Sequence, residues 1–347
     1  MKPTPLLLPF SWLYAAGVAV RNLFFDLGLI KITKLPVPVI SVGNITAGGS
    51  GKTPFVAMMA KMIRDRGKKV AIVSRGYGRR SSGYVVVSNG DQRCAESFHA
   101  GDEAAQLADL LDGVVVVVDE ARSRGAKNVL KSFKVDVIIL DDGFQHRFLF
   151  RNRDVVLMTA QEILKPSRLL PAGYRREPWS SLKRADVIVV TKCRTRSEFE
   201  EASSALQDRW NKQPLGTQNA VAGLFRMFSN EQVRSEELRG KDVIALSGIA
   251  DPGSFEDTIL ALGARIAQHL CYSDHHWYNE RDLKDILHAA GESGTSTVVT
   301  TEKDHVRLKA MGEVAERMLS PLSVVVIAIE PSVIEGLEVL EEMLVSL

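Results

Sequence analysis

The residue types best suited to chemistry in this 347-residue chain form a short glycine-rich segment. It consists of Gly48, Gly49, Ser50, Gly51, Lys52 and Thr53. Glycines allow backbone N–H groups to curl around an anion, and a helix beginning here would add the positive end of its dipole. A lysine at this place reaches the β- and γ-phosphates of a nucleotide, and the hydroxyl that follows can bind Mg²⁺. The segment therefore predicts a nucleotide phosphate site.

The sequence around this segment supports the same interpretation. The apolar run 37–42 predicts a buried strand before the loop, and the apolar spacing over residues 54–66 predicts a helix after it. Pro54 suits the first turn of that helix, where its missing N–H costs nothing. One departure is Thr46, which stands where the usual phosphate-loop spacing has glycine. The neighbouring glycine pair supplies the flexibility from another position.

A metal site should lie near the phosphates, on an adjacent strand that ends in acidic residues. The apolar run 135–140 is followed by Asp141 and Asp142, and one or both carboxylates would stand beside Mg²⁺. A guanine-specific site would need Asn or Thr, Lys, any residue and Asp after a strand. Thr191 and Lys192 fit that pattern, but Arg194 occupies the place of the aspartate. We therefore expect ATP with Mg²⁺ rather than GTP.

Short β-branched runs alternate with helical stretches along the rest of the chain, which is typical of an α/β fold with a parallel sheet covered on both faces. Further strands are expected over residues 69–74, 84–88, 114–119, 154–159, 186–191, 220–228, 243–246, 265–269, 297–300 and 324–329. Helices are expected over 254–262 and 280–290, and the polar stretch 197–218 reads as a helix followed by a loop. We predict a P-loop NTPase-like α/β/α sandwich over 31–215, a second, smaller α/β domain over 216–347 and an apolar N-terminal helix within 1–30.

Composition and charge exclude several classes of protein. Apolar residues make up 45% of the chain and charged residues 25%, which excludes disorder and a polytopic membrane protein. The net charge of +2 gives no global field that would favour nucleic acid as a partner, and we predict no protein partner. The three cysteines, Cys94, Cys193 and Cys271, are far apart, which indicates neither a disulfide framework nor a thiolate zinc site.

The N-terminus differs from the rest, because no charged residue lies between Lys2 and Arg21. A secretory signal peptide is one interpretation, although a site that uses cytoplasmic ATP argues against it. A buried N-terminal helix is a second interpretation. We favour a third, a shallow or interfacial membrane anchor with Trp12 and Tyr14 at the depth of the lipid headgroups. The pattern does not distinguish a helix that spans the membrane from one that lies on it.

Several further motifs occur in a fixed order along nearly the whole chain. They are Gly43-Asn44, Gly48-Gly49-Ser50-Gly51-Lys52-Thr53-Pro54, Ser74-Arg75-Gly76-Tyr77, Gly101-Asp102-Glu103, Asp141-Asp142-Gly143-Phe144-Gln145-His146-Arg147, Leu170-Pro171-Ala172-Gly173-Tyr174-Arg175-Arg176-Glu177-Pro178, Ser247-Gly248-Ile249, Asp274-His275-His276 and Thr301-Glu302-Lys303-Asp304. With the apolar N-terminus, this set closely resembles the tetraacyldisaccharide 4′-kinases, the lipid A kinases of Gram-negative bacteria. The altered spacing at Thr46 is also a property of that family.

The resemblance implies transfer of phosphate from ATP to the 4′-hydroxyl of a tetraacylated glucosamine disaccharide 1-phosphate. It implies that this lipid and the inner-membrane lipids are the partners, at the cytoplasmic face of that membrane. The catalytic aspartate–histidine dyad of the family corresponds to Asp102 and His275. Its Mg²⁺- and phosphate-contacting residues correspond to Lys52, Thr53, Asp141, Asp142 and Glu177. Among the seven histidines of the chain, only this motif match distinguishes His275.

Basic residues are concentrated around the expected site: Arg75, Arg79, Arg80, Arg122, Arg147, Arg151, Arg153, Arg175 and Arg176. They form either an ordinary solvated face or a surface that binds the phosphates of ATP, the 1-phosphate of the acceptor or anionic headgroups. Arg122 and Arg176 are our candidates for phosphate contact. Tyr77 could contact substrate or fill the core.

Two other functions remain compatible with the residues alone. A membrane-associated P-loop switch ATPase shares the phosphate loop and the strand-terminal aspartates, but needs no acceptor. A soluble kinase or ligase acting on a small molecule would not need the apolar N-terminus. In the kinase interpretation a dyad drawn from Asp102 and His275 spans both predicted domains. Turnover would therefore depend on the two domains closing together.

Overall fold

The computed structural model describes residues 7–165, 167–210 and 213–345. Its strands are β1 (Val39–Gly43), β2 (Val70–Ser74), β3 (Val85–Asn89), β4 (Val114–Val118), β5 (Val137–Asp141), β6 (Arg153–Thr159), β7 (Val187–Thr191), β8 (Leu215–Arg226), β9 (Gln232–Val233), β10 (Asp242–Ser247), β11 (Arg265–Cys271), β12 (Thr297–Thr301) and β13 (Ser323–Glu335).

The helices of the same residues run in chain order between these strands. They are α1 (Leu8–Asp26), α2 (Lys52–Asp65), α3 (Ser97–Ala100), α4 (Asp102–Leu110), α5 (Arg122–Ser132), α6 (Ala160–Leu164), α7 (Arg196–Trp210), α8 (Pro252–Ala261), α9 (Glu280–Ser293), α10 (Glu302–Lys309), α11 (Glu313–Leu319) and α12 (Leu337–Val345). The expected α/β alternation is therefore confirmed.

One sheet runs through the whole molecule, in the strand order β11-β10-β12-β13-β8-β7-β6-β1-β5-β2-β4-β3, with β9 paired to β8. We call β1 to β7 with their helices the first lobe, and β8 to β13 with α8 to α11 the second lobe. β8 joins the lobes, because it pairs in parallel with β7 at Leu215 and Gly216 and then antiparallel with β13 over most of its length. The loop expected near residue 215 is thus a strand, with Leu215, Gly216 and Thr217 all buried.

Five strands of the first lobe are buried along their whole length, as their continuous apolar runs predict, and these are β1, β2, β4, β5 and β7. In β5, Ile139 packs with the cluster that includes α2 and α4 residues, whereas Ile138 packs on the opposite face with Ala126 and Val129 of α5. The second lobe repeats this arrangement, with one apolar cluster on each face of β10. Helix α12 returns to the first lobe, where Leu340, Met343 and Leu344 join the core beside α2.

Helix α1 lies on the surface of the first lobe and exposes much of its apolar side. Ser11, Val18 and Phe25 are buried, whereas Trp12 and Leu13 are more than 70% exposed. Polar contacts hold the helix in place: the Tyr14 hydroxyl donates to the carbonyl of Arg176 at 2.9 Å, and Arg147 pairs with Asp26. Among the described residues, no helix has the length and apolar character required to cross a bilayer.

Candidate active site

The phosphate loop connects the end of β1 to the start of α2, as the sequence predicts. Gly51 adopts a left-handed conformation, with φ of 77°, immediately before the helix begins at Lys52. The loop is fixed by side chains from elsewhere, since Asn44 Nδ2 donates to Ser50 Oγ at 2.9 Å and Thr191 Oγ1 donates to the Ser50 carbonyl at 3.0 Å. This arrangement places the glycine-rich turn directly before the N-terminus of α2, which suits an anion.

Thr46, the residue that departs from the usual glycine spacing, has a structural role here. Its hydroxyl donates to Glu162 Oε1 at 2.6 Å, and the next amide, that of Ala47, donates to the Tyr174 carbonyl. Both contacts tie the loop to the chain around residues 162–176. Gly43 admits no larger residue, because a Cβ there would lie 2.6 Å from the Cβ of Phe144.

The loop opens onto a cleft of about 650 Å³ between the two lobes. Most of the site residues expected from the sequence line this cleft. They are Gly48, Gly49, Ser50, Gly51, Lys52, Thr53, Arg122, Asp141, Asp142, Arg176 and His275. Asp102 lies behind His275 and is buried, and Glu177 is not among the lining residues. The cleft therefore collects residues from the phosphate loop, β5, α2 and α5 of the first lobe and from strands, loops and helices of the second.

Asp141 is the last residue of β5 and Asp142 follows it, next to β1, at the carboxyl edge of the sheet. Ser74 Oγ donates to Asp141 Oδ2 at 2.8 Å, whereas Asp141 Oδ1 is buried without a hydrogen-bond partner. Burial, together with the charges of Glu103 and Asp142, raises the pKa of Asp141 to about 6. Burial acts in the same direction on Asp142, but the cations Lys52 and Arg176 lower the pKa of that carboxyl to about 2.

These carboxylates fit a divalent cation in donor type and position. Two oxygens, Asp141 Oδ1 and Asp142 Oδ1, are buried without hydrogen-bond partners, and the Thr53 side chain lines the same cleft. Within the described ranges no group of three or more His, Cys, Asp or Glu side chains surrounds a common point. A cation here would therefore complete its shell with a hydroxyl, phosphate oxygens and water, as Mg²⁺ usually does.

His275 and Asp102 meet across the two lobes. His275 lies in the loop after β11, and its Nδ1 is 2.8 Å from Asp102 Oδ2 at the N-terminus of α4. The hydrogen bond and charge of Asp102 raise the pKa of His275 despite its partial burial. His275 also has a φ of 61°, which an L-residue adopts at a cost of about 1–3 kcal/mol. Asp142 and Lys192, which share this left-handed conformation, line the same cleft.

A buried arginine that the sequence analysis did not single out holds the carboxylate of this pair. Arg307 of α10 is fully buried, and its Nε donates to Asp102 Oδ2 at 3.0 Å. Its Nη1 donates to the Gly248 carbonyl and to Asp304. Burial would raise the pKa of Asp102, but His275 and Arg307 lower it well below its usual range. Asp102 is thus a charged carboxylate held by the second lobe.

Of Tyr77 and Glu177, only Tyr77 lies at the cleft. Tyr77 is 66% exposed, and its ring lies 5.3 Å from that of His275, so it lines the cleft rather than filling the core. Glu177 is fully buried and pairs with Arg184 at 2.8 Å and with Arg21 of α1 at 3.4 Å. The structure does not bring this carboxylate to the cleft, because two arginines hold it under α1.

The basic residues expected around the site fall into two groups. Arg176 pairs with Asp142 at 2.9 Å, and Arg122 Nη2 donates to the Asp142 carbonyl at 2.9 Å, so both adjoin the phosphate loop. Arg75 also lines the cleft. Others have partners outside it, and these are Arg79 with Glu120, Arg147 with Asp26 and Arg151 with Asp154. These three pair with carboxylates away from the phosphate loop, and for them contact with phosphate stays a prediction.

Comparison with known proteins matches this chain to one family over almost its whole length. The sequence model of the tetraacyldisaccharide-1-P 4′-kinases matches residues 3–346. A tetraacyldisaccharide 4′-kinase of Anaeromyxobacter dehalogenans is 38% identical over 343 residues, which are 97% of this chain and 88% of that protein. One from Chlorobium limicola is 37% identical over 344 residues, or 98% of this chain and 97% of that protein.

A solved structure agrees with the sequence comparisons. LpxK from Aquifex aeolicus, crystallised in complex with ATP, is 34% identical to this chain. It superimposes with a TM-score of 0.78 and covers 98% of each chain. The phosphate loop, the strand-terminal aspartates and the interlobe cleft therefore belong to a known fold. On this likeness and the family match, the chain is a member of the tetraacyldisaccharide-1-P 4′-kinase family.

Proposed function

We propose that this kinase transfers the γ-phosphoryl group of ATP to the 4′-hydroxyl of a tetraacylated glucosamine disaccharide 1-phosphate. The product is the 4′-phosphorylated lipid A precursor, lipid IVA. One observation carries the proposal: the phosphate loop of the first lobe and His275 of the second lobe, which Asp102 holds at 2.8 Å, face each other across the same cleft. A nucleotide held by one and an alcohol held near the other would meet within that cleft.

The nucleotide would lie with its phosphates on the loop formed by Gly48, Gly49, Ser50, Gly51, Lys52 and Thr53. Lys52 Nζ lies 3.5 Å from Asp142 Oδ1, so its ammonium is already directed to the part of the cleft where the phosphates would end. Arg122 and Arg176 stand beside it and would contact further phosphate oxygens. Bound ATP in the Aquifex aeolicus relative supports this assignment.

Mg²⁺ would be held by Thr53, Asp141 and Asp142. Asp141 Oδ1 and Asp142 Oδ1 accept no hydrogen bond, which supports that choice, although Lys52 Nζ also lies 3.5 Å from Asp142 Oδ1. The ion pairs of Glu177 argue against a fourth protein ligand there. When bound, the ion supplies positive charge that offsets the charge developing on the transferred phosphoryl group. Protein side chains carry out the proton transfer.

The transfer requires a base, because a sugar hydroxyl is a poor nucleophile. We assign that role to His275, with Asp102 holding Nδ1 so that Nε2 can accept the hydroxyl proton. The 4′-oxygen forms a bond to the γ-phosphorus while the bond from that phosphorus to the β–γ bridging oxygen breaks. ADP leaves with the electron pair of the broken bond, and the proton remains on His275 until solvent removes it.

The acceptor is an amphiphile, and α1 offers the apolar surface that such a substrate and its membrane require. Exposed side chains on and just after this helix include Phe10, Trp12, Leu13, Val20, Leu23, Phe24, Leu27 and Leu29. Tyr14 of the same helix lines the cleft, so the apolar surface and the site adjoin. We propose that α1 rests on the cytoplasmic face of the inner membrane, at the interface rather than across it.

The direct test measures the dependence of phosphate transfer on the acceptor. The full chain is incubated with labelled ATP and Mg²⁺, with and without the acylated disaccharide 1-phosphate. We expect label in the lipid, with kcat lowered about 10²–10⁴-fold in His275→Gln, the range of a general base. The matched control is His276→Gln, because His276 pairs with Asp282 at 2.9 Å instead of Asp102. Hydrolysis of ATP at the same rate without acceptor would instead identify a switch ATPase.

A further inference from the structure

The cleft contains a lysine, Lys303, to which the proposed transfer gives no role. It belongs to the segment Thr301-Glu302-Lys303-Asp304. Lys303 lies in the first turn of α10, and its Nζ is 3.0 Å from Glu103 Oε1 on α4 of the opposite lobe. About a quarter of each side chain is exposed, and both residues line the cleft. The pair is thus at the surface of the cavity that would hold ATP.

The position of Lys303 relative to the reacting groups is the main observation. The transferred phosphorus must lie between Lys52, which holds the γ-phosphate, and His275, which takes the proton. Glu103 adjoins this region from one side, because the charge of Lys52 acts on it as well as that of Lys303. Lys303 Nζ is 3.0 Å from Glu103, and the preceding residue, Asp102, is 2.8 Å from His275 Nδ1. Lys303 therefore borders the place where the phosphoryl group moves.

Hydrogen bonds at the N-terminus of α10 hold Lys303 in this position. Thr301 caps α10 by accepting from the Asp304 amide and donating to the Asp304 carboxylate at 2.7 Å. Asp304 accepts from the Gly248 amide and from the Tyr278 hydroxyl. Burial would lower the pKa of Lys303, but Glu103 and Asp102 raise it, so the ammonium stays charged at neutral pH.

We propose that Lys303 is a catalytic residue, which on ATP binding donates from its ammonium to an oxygen of the transferred γ-phosphoryl group. This inference rests on the proposed function. Negative charge spreads over those oxygens in the transition state, so a fixed cation there lowers the barrier. The phosphate loop itself offers a single cation, Lys52, over residues 43–53. The second lobe would supply another.

A cation supplied by the second lobe has a consequence for specificity. The full set of charges around the γ-phosphate is complete only where α10 and α4 meet, as they do through Lys303–Glu103 and Arg307–Asp102. Bound ATP in a cleft with the lobes parted lacks both the base and this cation. Hydrolysis of ATP in the absence of acceptor would then be slow. This suits a kinase that takes ATP from water and its acceptor from the membrane.

The competing role of Lys303 is to neutralise Glu103 and join the lobes, with no contact to phosphate. Lys303→Met and the double variant Lys303→Met/Glu103→Gln separate the two roles, since the double variant leaves no unpaired charge. We expect kcat for lipid phosphorylation to fall about 10²–10³-fold in both, with the Kd for ATP changed less than about threefold. Recovery of kcat to within about fivefold of wild type in the double variant would overturn the proposal.

Two further variants complete the design. Lys309→Met removes an exposed lysine from the same helix, and it should leave kcat unchanged. Lys303→Gln keeps a donor for Glu103, so it reports on catalysis even if Lys303→Met folds poorly. Each variant is also tested for binding of ADP with aluminium fluoride, a mimic of the transferring phosphoryl group. Loss of that binding at Lys303 with ATP binding intact supports the proposal, and equal retention of both contradicts it.

Wild-type protein in the same assay keeps this test apart from that of the proposed function. If the wild type transfers no label to the lipid, the kinase assignment fails, whatever the variants do. If the wild type labels the lipid and Lys303→Gln does so at the same kcat, only the role of Lys303 fails.

Discussion

The phosphate loop and the His275–Asp102 pair serve one cleft but are assembled in opposite ways. The loop is a continuous stretch between β1 and α2, and its conformation depends on local glycines and on neighbours in the same lobe. The pair joins residues 173 positions apart, from different lobes, at 2.8 Å. The loop can therefore bind nucleotide independently of contact between the lobes. The hydrogen bond that orients His275 forms only when the lobes are in contact. Nucleotide binding and transfer should respond differently to mutation.

The largest effect is expected at the loop. Lys52→Ala removes the ammonium that stands 3.5 Å from Asp142 and should lower kcat/KM for ATP about 10³-fold or more. Lys68→Ala, just after α2 and exposed, is the matched control and should keep wild-type values. Lipid labelling is the measurement for both. Undiminished labelling by Lys52→Ala would remove the basis for the nucleotide site, and with it the proposed reaction.

A smaller effect, a shift in the pH profile of turnover, is expected at the junction of the lobes. His275 must be neutral to accept a proton, so kcat should rise with pH through a midpoint above 6.5, because Asp102 raises the pKa of His275. Asp102→Asn removes that charge, so the pKa of His275 falls and the midpoint moves to lower pH, while the maximal rate also drops. Of the other charges near His275, Asp274 raises its pKa and Lys303 lowers it, and both remain.

The pH profile of kcat between pH 5 and 9 measures this shift in both proteins. Asp141, whose pKa is raised to about 6, also titrates in this range, but it does so in both proteins, so the difference between the two profiles reports on His275. A midpoint that is unchanged in Asp102→Asn would show that a different group accepts the proton.

The smallest effect concerns two aromatic pairs. Phe98 and Trp277 stack between the lobes with ring centroids 4.7 Å apart, and Trp179 and Trp210 stack within the first lobe at 5.4 Å. Double-mutant cycles to leucine should give coupling free energies of about 1 kcal/mol in urea unfolding for each pair. Only the interlobe pair should also change kcat, because it holds the loop that carries His275. If both pairs changed kcat equally, turnover would not depend specifically on contacts between the lobes.

Much of the first lobe could be predicted from the sequence, because its features are local. The apolar runs that became β1 and β5 are buried on both faces, and the expected order of strand, glycine loop and helix is present. The start of β8 was not predicted, since Leu215 and Gly216 pair with β7 through a contact that no local pattern records. The proposed domain boundary near residue 215 stays a prediction, and the chain passes that point within a single sheet.

The site was predictable only in part, for a related reason. A charged residue in a helix predicts solvent exposure, so Arg307 gave no indication of its burial between Asp102 and Asp304. Glu177 was expected near the metal from its motif, but Arg21 and Arg184 hold it under α1. In both cases the deciding partner is distant in sequence, and pattern analysis of single segments does not find such partners.

The hydrogen bond from Tyr14 to the carbonyl of Arg176 links the N-terminal helix to the groups that face the phosphates. The Arg176 guanidinium pairs with Asp142, and the next residue, Glu177, is held from the same helix by Arg21. Deleting residues 7–26 to obtain a more soluble enzyme would thus remove the contacts that position Arg176 and Glu177, along with the exposed apolar surface. Low turnover in such a truncated enzyme would report damage inside the cleft as much as loss of attachment. Replacing exposed Trp12 and Leu13 with polar residues, while leaving Tyr14 and Arg21 intact, separates the two causes.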